Sequence, residues 1–352
     1  MATLAQLGVD NPADSVEFCP FPGFSSLLAC GTYQLQAGGD SVDDPLPQKR
    51  LGQCLLYRWI EEKQELTQLY RHEQAGVLDM KWSRCLLLER PILAIADAEG
   101  HVVVHKWLEH EHSLETVQSI DCAKADVLCL SIDWSDRRRL PVSGPGSLVV
   151  SKSDGHYSNW CAHDFESWIA AWDYWDEHIV YSGGDDCKLK AWDIRQEPSH
   201  PIFWSSLLLR RSRFDAGVTT IQSHPFVEHL IAVGSYDDTV RLFDVRQSKE
   251  PFAAINIGGG AWRVKWHHKP ERSQDLLVAC MHDGFKVLQF GPNRIPDSQA
   301  LDQFGSFNII KRYEAHQSLA YGADWSYQDA AGSDSYIATC SFYDHSLHIW
   351  TG

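Results

Sequence analysis

The sequence lacks several features that would place it in a familiar class of proteins. Its ten cysteines include no CxxC pair and no cysteine–histidine spacing typical of zinc, so we expect reduced thiols and no structural metal. The first residues lack the basic and then apolar pattern of a signal peptide, and no apolar run approaches ~18 residues. These absences predict a protein of the cytosol or nucleus with no membrane partner. Of these two locations we predict the cytoplasm.

An excess of basic charge is also lacking. The chain has 31 basic and 47 acidic residues, a formal net charge of -16. This balance disfavours nucleic acid and anionic lipid as partners and favours cationic ligands or basic protein surfaces. The basic clusters 137–139 and 210–213 are short, and we interpret them as solvated loops. With 44% hydrophobic and 22% charged residues, the chain can bury a large core.

What is present is a repeat of strand, acidic turn and strand. It is clearest at residues 230–246, LIAVGSYDDTVRLFDVR, and recurs at 179–195 and 336–350. Alternating Val, Thr, Leu and Phe suit a pleated surface, and Asp favours the turn. The hairpins resemble WD40 blades. Seven units, spaced by about 40 to 60 residues, fit four-stranded blades with loop insertions. Their inner strands are predicted at 14–20, 77–83, 127–135, 167–175, 217–225, 261–268 and 319–326.

The predicted fold is therefore all-β: a single seven-bladed WD40 β-propeller domain over residues 1–352. Residues 2–9 are predicted to pair with the last blade and close the ring, which would remove an open sheet edge. Residues 36–50 are polar with Gly and Pro, and are predicted to be a mobile insertion in the first blade. The third blade is short, because little chain separates Trp160 from the next inner strand. A closed ring makes a monomer the default expectation.

The WD40 resemblance implies structural roles for some polar residues. In such blades a His, a turn Asp and a Trp form a buried hydrogen-bond chain. The spacing fits His163, Asp186 and Trp192 in the fourth blade. It fits His316, Asp344 and Trp350 in the seventh. Two turn acids stand in the same slot, Asp237 with Phe243 in place of the Trp and Asp154 with Trp160. We therefore discount His163 and Asp344 as catalytic candidates.

The candidates lie outside these slots, on the face that carries the hairpin turns. His282 has Gln289 where a Trp would close the chain, so it is either an acid–base group or an exposed turn residue. Cys280, Cys340 and Ser341 are either nucleophiles or packing residues. Arg263 either binds a carboxylate or forms a rim ion pair. Acids on the inner strands predict a polar channel: Glu17, Asp79, Asp133 and Asp324.

Aromatic residues are also expected at the channel mouth. Trp168, Trp262 and Tyr321 begin inner strands, and Tyr33, Tyr236 and Tyr343 lie further out in the turns. Stacked around a cation, such side chains would form a cage.

Longer phrases carry a more specific resemblance. They include LLACGTYQL, AHDFESWIAAWDYW, GGGAWRVKWH, ACMHDGFK and ATCSFYDHSLHIW. Taken in order from about residue 14 to 350, they resemble the diphthine methyl ester hydrolases, WD40 proteins of diphthamide biosynthesis. The chain departs from that pattern in its short third blade and in a short segment between Ser326 and Ile337.

The resemblance implies a cofactor-free hydrolase whose protein substrate is elongation factor 2 carrying methylated diphthine. The ester, next to a trimethylammonium group, would give diphthine and methanol. No GxSxG motif identifies a nucleophile. We predict that His282 acts as base on water, or on Cys280 or Ser341, with Asp324 orienting it and Arg263 steadying the oxyanion. The aromatic residues at the mouth would hold the trimethylammonium.

A non-catalytic interaction platform is the alternative. Two predicted blades end in Trp/Phe-Asp-x-Arg, at 192–195 and 243–246. This motif resembles the docking box of substrate receptors for cullin-type ubiquitin ligases, but it also arises as an ion pair that caps a blade. The sequence leaves open the nucleophile and the face that docks the elongation factor.

Overall fold

The structure is a computed structural model of the chain and describes residues 2–36, 49–84, 86, 89–122, 127–135, 140–151, 157–196, 200–204, 213–247, 250–291, 304–330, 332 and 334–352. Most of the predicted insertion at 36–50 lies outside these residues, as do the clusters 137–139 and 210–212 and the turn residue Asp154. The predicted all-β class is confirmed, since the described helices are three short 3₁₀ turns at Glu61–Lys63, Val245–Gln247 and Pro270–Arg272. None of them is long and apolar enough to span a bilayer.

The strands form a β-propeller of antiparallel sheets, which we number along the chain. Sheet 1 contains β2 (Ala13–Phe18), β3 (Leu27–Thr32), β4 (Gln34–Leu35), β5 (Arg50–Ile60) and β6 (Glu65–Ala75). Sheet 2 contains β7 (Val77–Trp82), β8 (Ile92–Asp97), β9 (His101–Leu108) and β10 (Ser113–Asp121). Sheet 3 contains β11 (Ser131–Ile132), β12 (Leu140–Ser151), β13 (Tyr157–Trp172), β14 (Ile179–Gly184), β15 (Leu189–Asp193) and β16 (Phe203–Trp204).

The second half of the chain continues the pattern. Sheet 4 contains β17 (Val218–Ser223), β18 (Leu230–Ser235), β19 (Thr239–Asp244) and β20 (Ala253–Asn256). Sheet 5 contains β21 (Arg263–Trp266), β22 (Asp275–Ala279), β23 (Phe285–Gly291) and β24 (Ser306–Tyr313). Sheet 6 contains β25 (Ala320–Trp325), β26 (Tyr336–Ser341), β27 (Ser346–Thr351) and, from the start of the chain, β1 (Thr3–Gly8).

The predicted count of seven blades is wrong, because the described strands form six sheets. The two blades predicted around residues 127–195 share sheet 3. Its strand β13 pairs with β12 through residues 157–166 and with β14 through residues 167–172. One uninterrupted strand thus serves as the outer edge of the predicted third blade and the inner strand of the fourth. The short connection after Trp160 leaves no room for a break between them.

The predicted pairing of residues 2–9 is present as a strand. β1 pairs antiparallel with β27, from Thr3 opposite Trp350 to Gly8 opposite Ser346. Leu4, Ala5 and Leu7 pack against the core that sheets 1 and 6 share. The chain thus enters the molecule through its last sheet and then forms β2, the inner strand of its first.

The structural hydrogen-bond chains lie where the spacing predicts them. His163 lies 2.8 Å from Asp186 through Nδ1 and 2.7 Å from the Ser182 hydroxyl through Nε2, and Trp192 Nε1 donates to the same hydroxyl. In sheet 6 the Thr339 hydroxyl takes the middle place, 2.9 Å from His316 Nε2 and accepting from the Trp350 indole. Here the Ser346 hydroxyl, 2.7 Å from His316 Nδ1, takes the place predicted for Asp344, which lies 3.9 Å from His316. These polar groups fix the blades.

The inner strands share a local distortion that positions the functional face. In β2, β7, β17 and β25 the register slips by one residue near the start of the strand, and in β13 it slips where pairing with β14 begins. Such a bulge re-aims a side chain. The residues at this point are Asp14, Leu78, Trp168, Thr219 and Tyr321, and Trp262 precedes β21 at the equivalent point; we call them the bulge layer. Gly322 lets β25 approach β2, because a Cβ there would lie 2.8 Å from the backbone nitrogen of Val16.

Candidate functional site

Aromatic side chains from five of the sheets meet on the face that carries the hairpin turns. Tyr321 stacks on Trp262 with ring centroids 4.8 Å apart and an interplanar angle of 24°. Trp168 lies 5.8 Å from Trp262 and 6.0 Å from Tyr236, both in edge contacts. Tyr236 completes the triangle at 5.8 Å from Trp262. Aromatic residues predicted from the sequence are therefore in mutual contact.

The contacts continue across sheet 6 to sheet 1. Phe342 lies 5.1 Å from Tyr321, 5.0 Å from Tyr343 and 6.2 Å from Tyr33. Tyr343 is the outermost member at 70% exposed. Phe342 was not predicted, although its place in the turn beside Tyr343 was a usable signal. We call the group the aromatic cluster: Tyr33, Trp168, Tyr236, Trp262, Tyr321, Phe342 and Tyr343.

The cluster is electrically neutral but electron-rich. Burial raises the pKa of Tyr236 and of Tyr321 well above the ordinary value, so both phenols keep their protons at neutral pH. Trp168 donates its indole N–H to Asp185 at 2.6 Å, which brings a carboxylate to the edge of the cluster. Ring faces beside carboxylates, on a protein of net negative charge, suit a cationic ligand and in particular a quaternary ammonium.

Arg263 lies directly below the cluster at the start of β21. Its guanidinium carbon is 5.4 Å from the centre of the Trp262 ring, and Nη1 donates to the Trp262 carbonyl at 3.1 Å. Nη2 is 3.7 Å from Asp79 Oδ1. The sequence left open whether Arg263 binds a substrate carboxylate or forms an ion pair at the rim. Its contact with Asp79 is a loose ion pair, and this leaves part of the guanidinium group available to a second acceptor.

Asp14 is an acid that the sequence analysis missed. It is 4% exposed and occupies in β2 the bulge-layer place that Trp168 and Tyr321 hold in their strands. Burial raises the pKa of Asp14 to about 7; Arg263 opposes the shift and Asp79 adds to it. Asp14 in turn raises the pKa of Tyr321 and of Tyr236, as expected of a carboxyl under the cluster. Alignment of the inner strands on their last residues was the signal that would have found it.

A second group of charges lies deeper in the molecule. We call it the deep layer: Glu17, Lys81, Lys265 and Asp324, each three residues beyond a bulge-layer residue on its strand, and Asp133, which follows β11. Lys265 Nζ lies 2.7 Å from Glu17 and 3.3 Å from Asp324, which also accepts from the Phe18 backbone N–H at 2.8 Å. Burial disfavours the ammonium, yet Asp324 and Glu17 hold the pKa of Lys265 above its ordinary value.

The deep layer lines a cavity of about 460 Å³, together with Asp79 and Arg263. All four acids predicted to form a polar channel line this one cavity, so that prediction is confirmed. Asp324 is held by Lys265 within it, three residues along β25 from Tyr321, so its contacts are those of a structural ion network. Among the described residues no cluster of His, Cys, Asp and Glu is arranged to hold a metal ion.

Comparison with known proteins assigns the family. No family model matches the chain. It is 37% identical over 349 residues to the mouse protein named diphthine methyltransferase, covering 93% of this chain and 70% of the relative. It is 36% identical to the diphthine methyltransferase homolog of Dictyostelium discoideum, covering 97% of each. The human diphthine methyltransferase is 37% identical, covering 92% of this chain and 74% of the relative. The chain belongs to the diphthine methyltransferase family.

A solved structure supports the fold at much lower identity. A chain in the crystal structure of the Mitotic Checkpoint Complex superposes with a TM-score of 0.70 at 14% identity, covering 99% of this chain and 91% of the other. At that identity the likeness shows the fold alone.

Membership of the diphthine methyltransferase family does not favour the platform alternative. Its two Asp-x-Arg motifs form local ion pairs at the ends of their strands. Arg195 binds Asp193 at 2.9 and 2.7 Å, and Arg246 binds Asp244 at 2.9 and 2.8 Å. They have the geometry of the capping ion pair that the sequence left open.

The remaining predicted catalytic residues are not gathered into one unit. His282 is exposed in the turn before β23, and the described part of the chain offers it no hydrogen bond to Cys280 or Ser341. Burial raises the pKa of Cys280 to about 12, and its thiol donates to the Val278 carbonyl at 3.7 Å. Cys340 is fully buried, and burial raises the pKa of its thiol far above the usual range. Ser341 is buried beside Asp344, whose pKa it helps to lower. The expected pairing of His282 with a nucleophile is therefore absent from this geometry.

Proposed function

We propose that this protein hydrolyses the methyl ester of methylated diphthine on elongation factor 2, releasing diphthine and methanol in diphthamide biosynthesis. The observation that carries the proposal is the aromatic cluster beside Arg263. The substrate would combine a trimethylammonium group with an ester a few bonds away. A cluster of neutral rings adjoining one guanidinium offers complementary chemistry for both groups.

The role proposed for each residue follows from how deep its side chain lies below the face of the hairpin turns. Trp168, Tyr236, Trp262 and Tyr321 hold the trimethylammonium group, and the outer rings Tyr33, Phe342 and Tyr343 extend that surface. Arg263 donates to the ester carbonyl oxygen and stabilises the negative charge that develops there. Cys280 and Ser341 have no role here, because both side chains are buried and burial raises the pKa of the Cys280 thiol to about 12.

The relatives are named for methyl transfer, whereas we propose transfer of the acyl group to water. The two reactions break different bonds. In hydrolysis the carbonyl carbon parts from the methoxy oxygen, and in methyl transfer the methyl carbon parts from that oxygen. The identity of the broken bond therefore tests the proposal directly.

The experiment uses methylated elongation factor 2, the purified protein and ¹⁸O-labelled water. Hydrolysis predicts loss of one methylene group, partly offset by the extra mass of one ¹⁸O in the new carboxylate, with unlabelled methanol released. An unlabelled carboxylate after loss of the methyl group would contradict ester hydrolysis. An unchanged mass would remove the proposal altogether.

The wider setting of the enzyme is part of the same proposal. We propose a cytoplasmic monomer that folds as one domain, in which β1 closes the ring by completing sheet 6. If β1 has this role, deletion of residues 2–8 removes the packing of Leu4 and Leu7 and lowers the free energy of unfolding by about 2 kcal/mol. It also exposes the edge of β27 to self-association. Thermal unfolding and size-exclusion chromatography measure both effects.

A further inference from the structure

We infer that Asp14 is the general base of the reaction, taking a proton from the water that attacks the ester beneath the aromatic cluster. The inference rests on the proposed function and names a catalytic group for it. The first argument is the position of Asp14 in the bulge layer. Among the bulge-layer residues three are cluster rings, two are uncharged and small or aliphatic, and Asp14 alone carries a carboxyl group. A bulge at this point re-aims the side chain, and it does so in β2 as in its neighbours.

The depth of Arg263 and Asp14 below the aromatic rings supports the same assignment. Arg263 follows Trp262 directly, so the guanidinium lies one residue below the ring layer. A cation held by the rings places its ester within reach of both Arg263 and the carboxyl of Asp14. Arg263 also interacts electrostatically with Asp14, which keeps a fraction of that buried carboxyl ionised. A carboxyl that is poised between its two forms near neutral pH suits general base catalysis.

Asp14 interacts electrostatically with charged and titratable groups on the strands around it: Arg263 at β21, Asp79 at β7, Tyr321 at β25, Cys30 at β3, Cys340 at β26, and Tyr236 after β18. The phenols and thiols keep their protons near pH 7, because their pKa values are raised. Asp79 stays ionised, because Lys81 and Arg263 hold its pKa below the ordinary value against the effect of burial. Asp14 is the group in this set that titrates near neutrality.

Hydrolysis proceeds by addition of water to the ester and then loss of methanol. The water oxygen forms a bond to the ester carbonyl carbon, the carbonyl electron pair moves to oxygen beside Arg263, and Asp14 takes one water proton. The oxyanion then re-forms the carbonyl and the bond to the methoxy oxygen breaks. Asp14 returns its proton to that oxygen, which leaves as methanol. The new carboxylic acid loses its proton to solvent, and Asp14 is again a carboxylate.

The decisive variant is Asp14→Asn, assayed for methyl loss from the methylated elongation factor. Removal of a general base predicts a fall in kcat between about a hundredfold and ten-thousandfold. Substrate binding, measured separately, should change less than about threefold, because the rings that hold the cation remain. The matched control is Asp133→Asn: Asp133 is an inner-strand acid of the deep layer whose pKa burial raises to about 6, and it accepts backbone N–H groups of Trp134 and Trp172. It should retain wild-type kcat.

The pH dependence provides a readout that a purely structural role would not move. Wild-type kcat/KM should rise through about pH 7 as Asp14 ionises, and this limb should be missing from the residual activity of Asp14→Asn. If Asp14→Asn does not fold, the profile of Asp324→Asn decides, because burial also raises the pKa of Asp324 to about 7. A limb that persists in that variant supports Asp14. A limb that is lost with Asp324, or a flat wild-type profile between about pH 6 and pH 8, overturns the assignment. An active wild type with an equally active Asp14→Asn protein overturns Asp14 alone. An inactive wild type overturns the proposed function and the assignment together.

Discussion

The bulge layer and the deep layer place acids on the same inner strands, three residues apart, in very different company. In the deep layer Glu17 and Asp324 share Lys265. In the bulge layer Asp14 lies among aromatic rings, with Arg263 as a neighbour that also interacts with Asp79. Burial raises the pKa of both Asp324 and Asp14 to about 7, so the pKa does not distinguish them. The contacts do, because Asp324 binds Lys265 and the Phe18 N–H, whereas Asp14 lies beside the rings and Arg263. The comparison teaches that the neighbours of a buried acid, more than its depth or its pKa, separate structure from chemistry.

The largest expected effect breaks the deep layer. Lys265→Met leaves Glu17 and Asp324 buried without their shared cation, and we expect the free energy of unfolding to fall by about 3–5 kcal/mol. Lys269→Met is the control, because Lys269 pairs with Asp329, which is 90% exposed, and should cost under about 1 kcal/mol. Urea unfolding measures both. Equal effects in the two variants would mean that the deep network contributes no more than a surface ion pair.

The next effect is the pH dependence of stability. Burial lowers the pKa of seven histidines, to about 4 for His105, His224 and His268, about 3 for His316 and about 2 for His267, and also below the ordinary value for His163 and His348. Below about pH 6.5 the unfolded chain takes up protons that the folded chain does not, so each of these histidines costs stability on acidification. Asp14, Asp133 and Asp324 act in the opposite sense, because their raised pKa values let the folded state hold protons that the unfolded state releases.

Because the histidines outnumber these acids, the free energy of unfolding should fall by about 2 kcal/mol between about pH 7.5 and pH 5.5. The Asp14→Asn protein lacks one opposing group and should lose about 2 kcal/mol more over that interval. Urea titrations at the two pH values provide the measurement. A wild type more stable at the lower pH, or a variant with an unaltered slope, would contradict the assigned shifts.

The aromatic half of the bulge layer is tested by Trp262→Ala. Removing the ring that contacts Trp168, Tyr236 and Tyr321 should weaken binding of the methylated elongation factor by about tenfold to thirtyfold, which is about 2 kcal/mol of cation–π contact. Trp262→Phe should recover most of the affinity. Calorimetry with methylated and unmodified factor separates recognition of the cation from docking. Equal losses for the two forms would assign Trp262 to docking alone.

The smallest expected effect is that of His282→Ala. Its side chain is exposed in the turn before β23, outside both layers. We therefore expect kcat within about threefold of wild type, in contrast to Asp14→Asn. Assay of the two variants side by side is the check. A large fall in kcat for His282→Ala together with a normal kcat for Asp14→Asn would identify His282 as the base.

Most of the fold could be predicted from the sequence, because its signals are local. Alternating apolar residues around an acidic turn define hairpins such as β18–β19, and the spacing of His163 and Trp192 defines a structural hydrogen-bond chain. The fusion of two predicted blades in sheet 3 could not be predicted. Whether β13 breaks or continues depends on pairing with β12 and β14, which is a tertiary property.

The candidate site divides in the same way. The aromatic residues were predictable, since Trp168, Trp262 and Tyr321 stand at strand starts. Asp14 was missed because its equivalence to Trp168 and Tyr321 emerges only when the inner strands are aligned on their last residues. His282 was a candidate because its hairpin has no Trp to complete a structural hydrogen-bond chain. The lack of a structural role is not, however, evidence of a catalytic one. Phe342 shows that a turn residue can join a site through packing alone.

The pairing of Thr3 with Trp350 also sets the order of events during synthesis. β1 is synthesised long before its partner β27, which is not complete until residue 351 has been added. Sheet 6 therefore cannot be finished before that point, and β1 must wait for its partner while the residues between them are made. Such delayed long-range pairing is slow and leaves strand edges open to other chains. Protection by chaperones should matter most for this strand and in this interval.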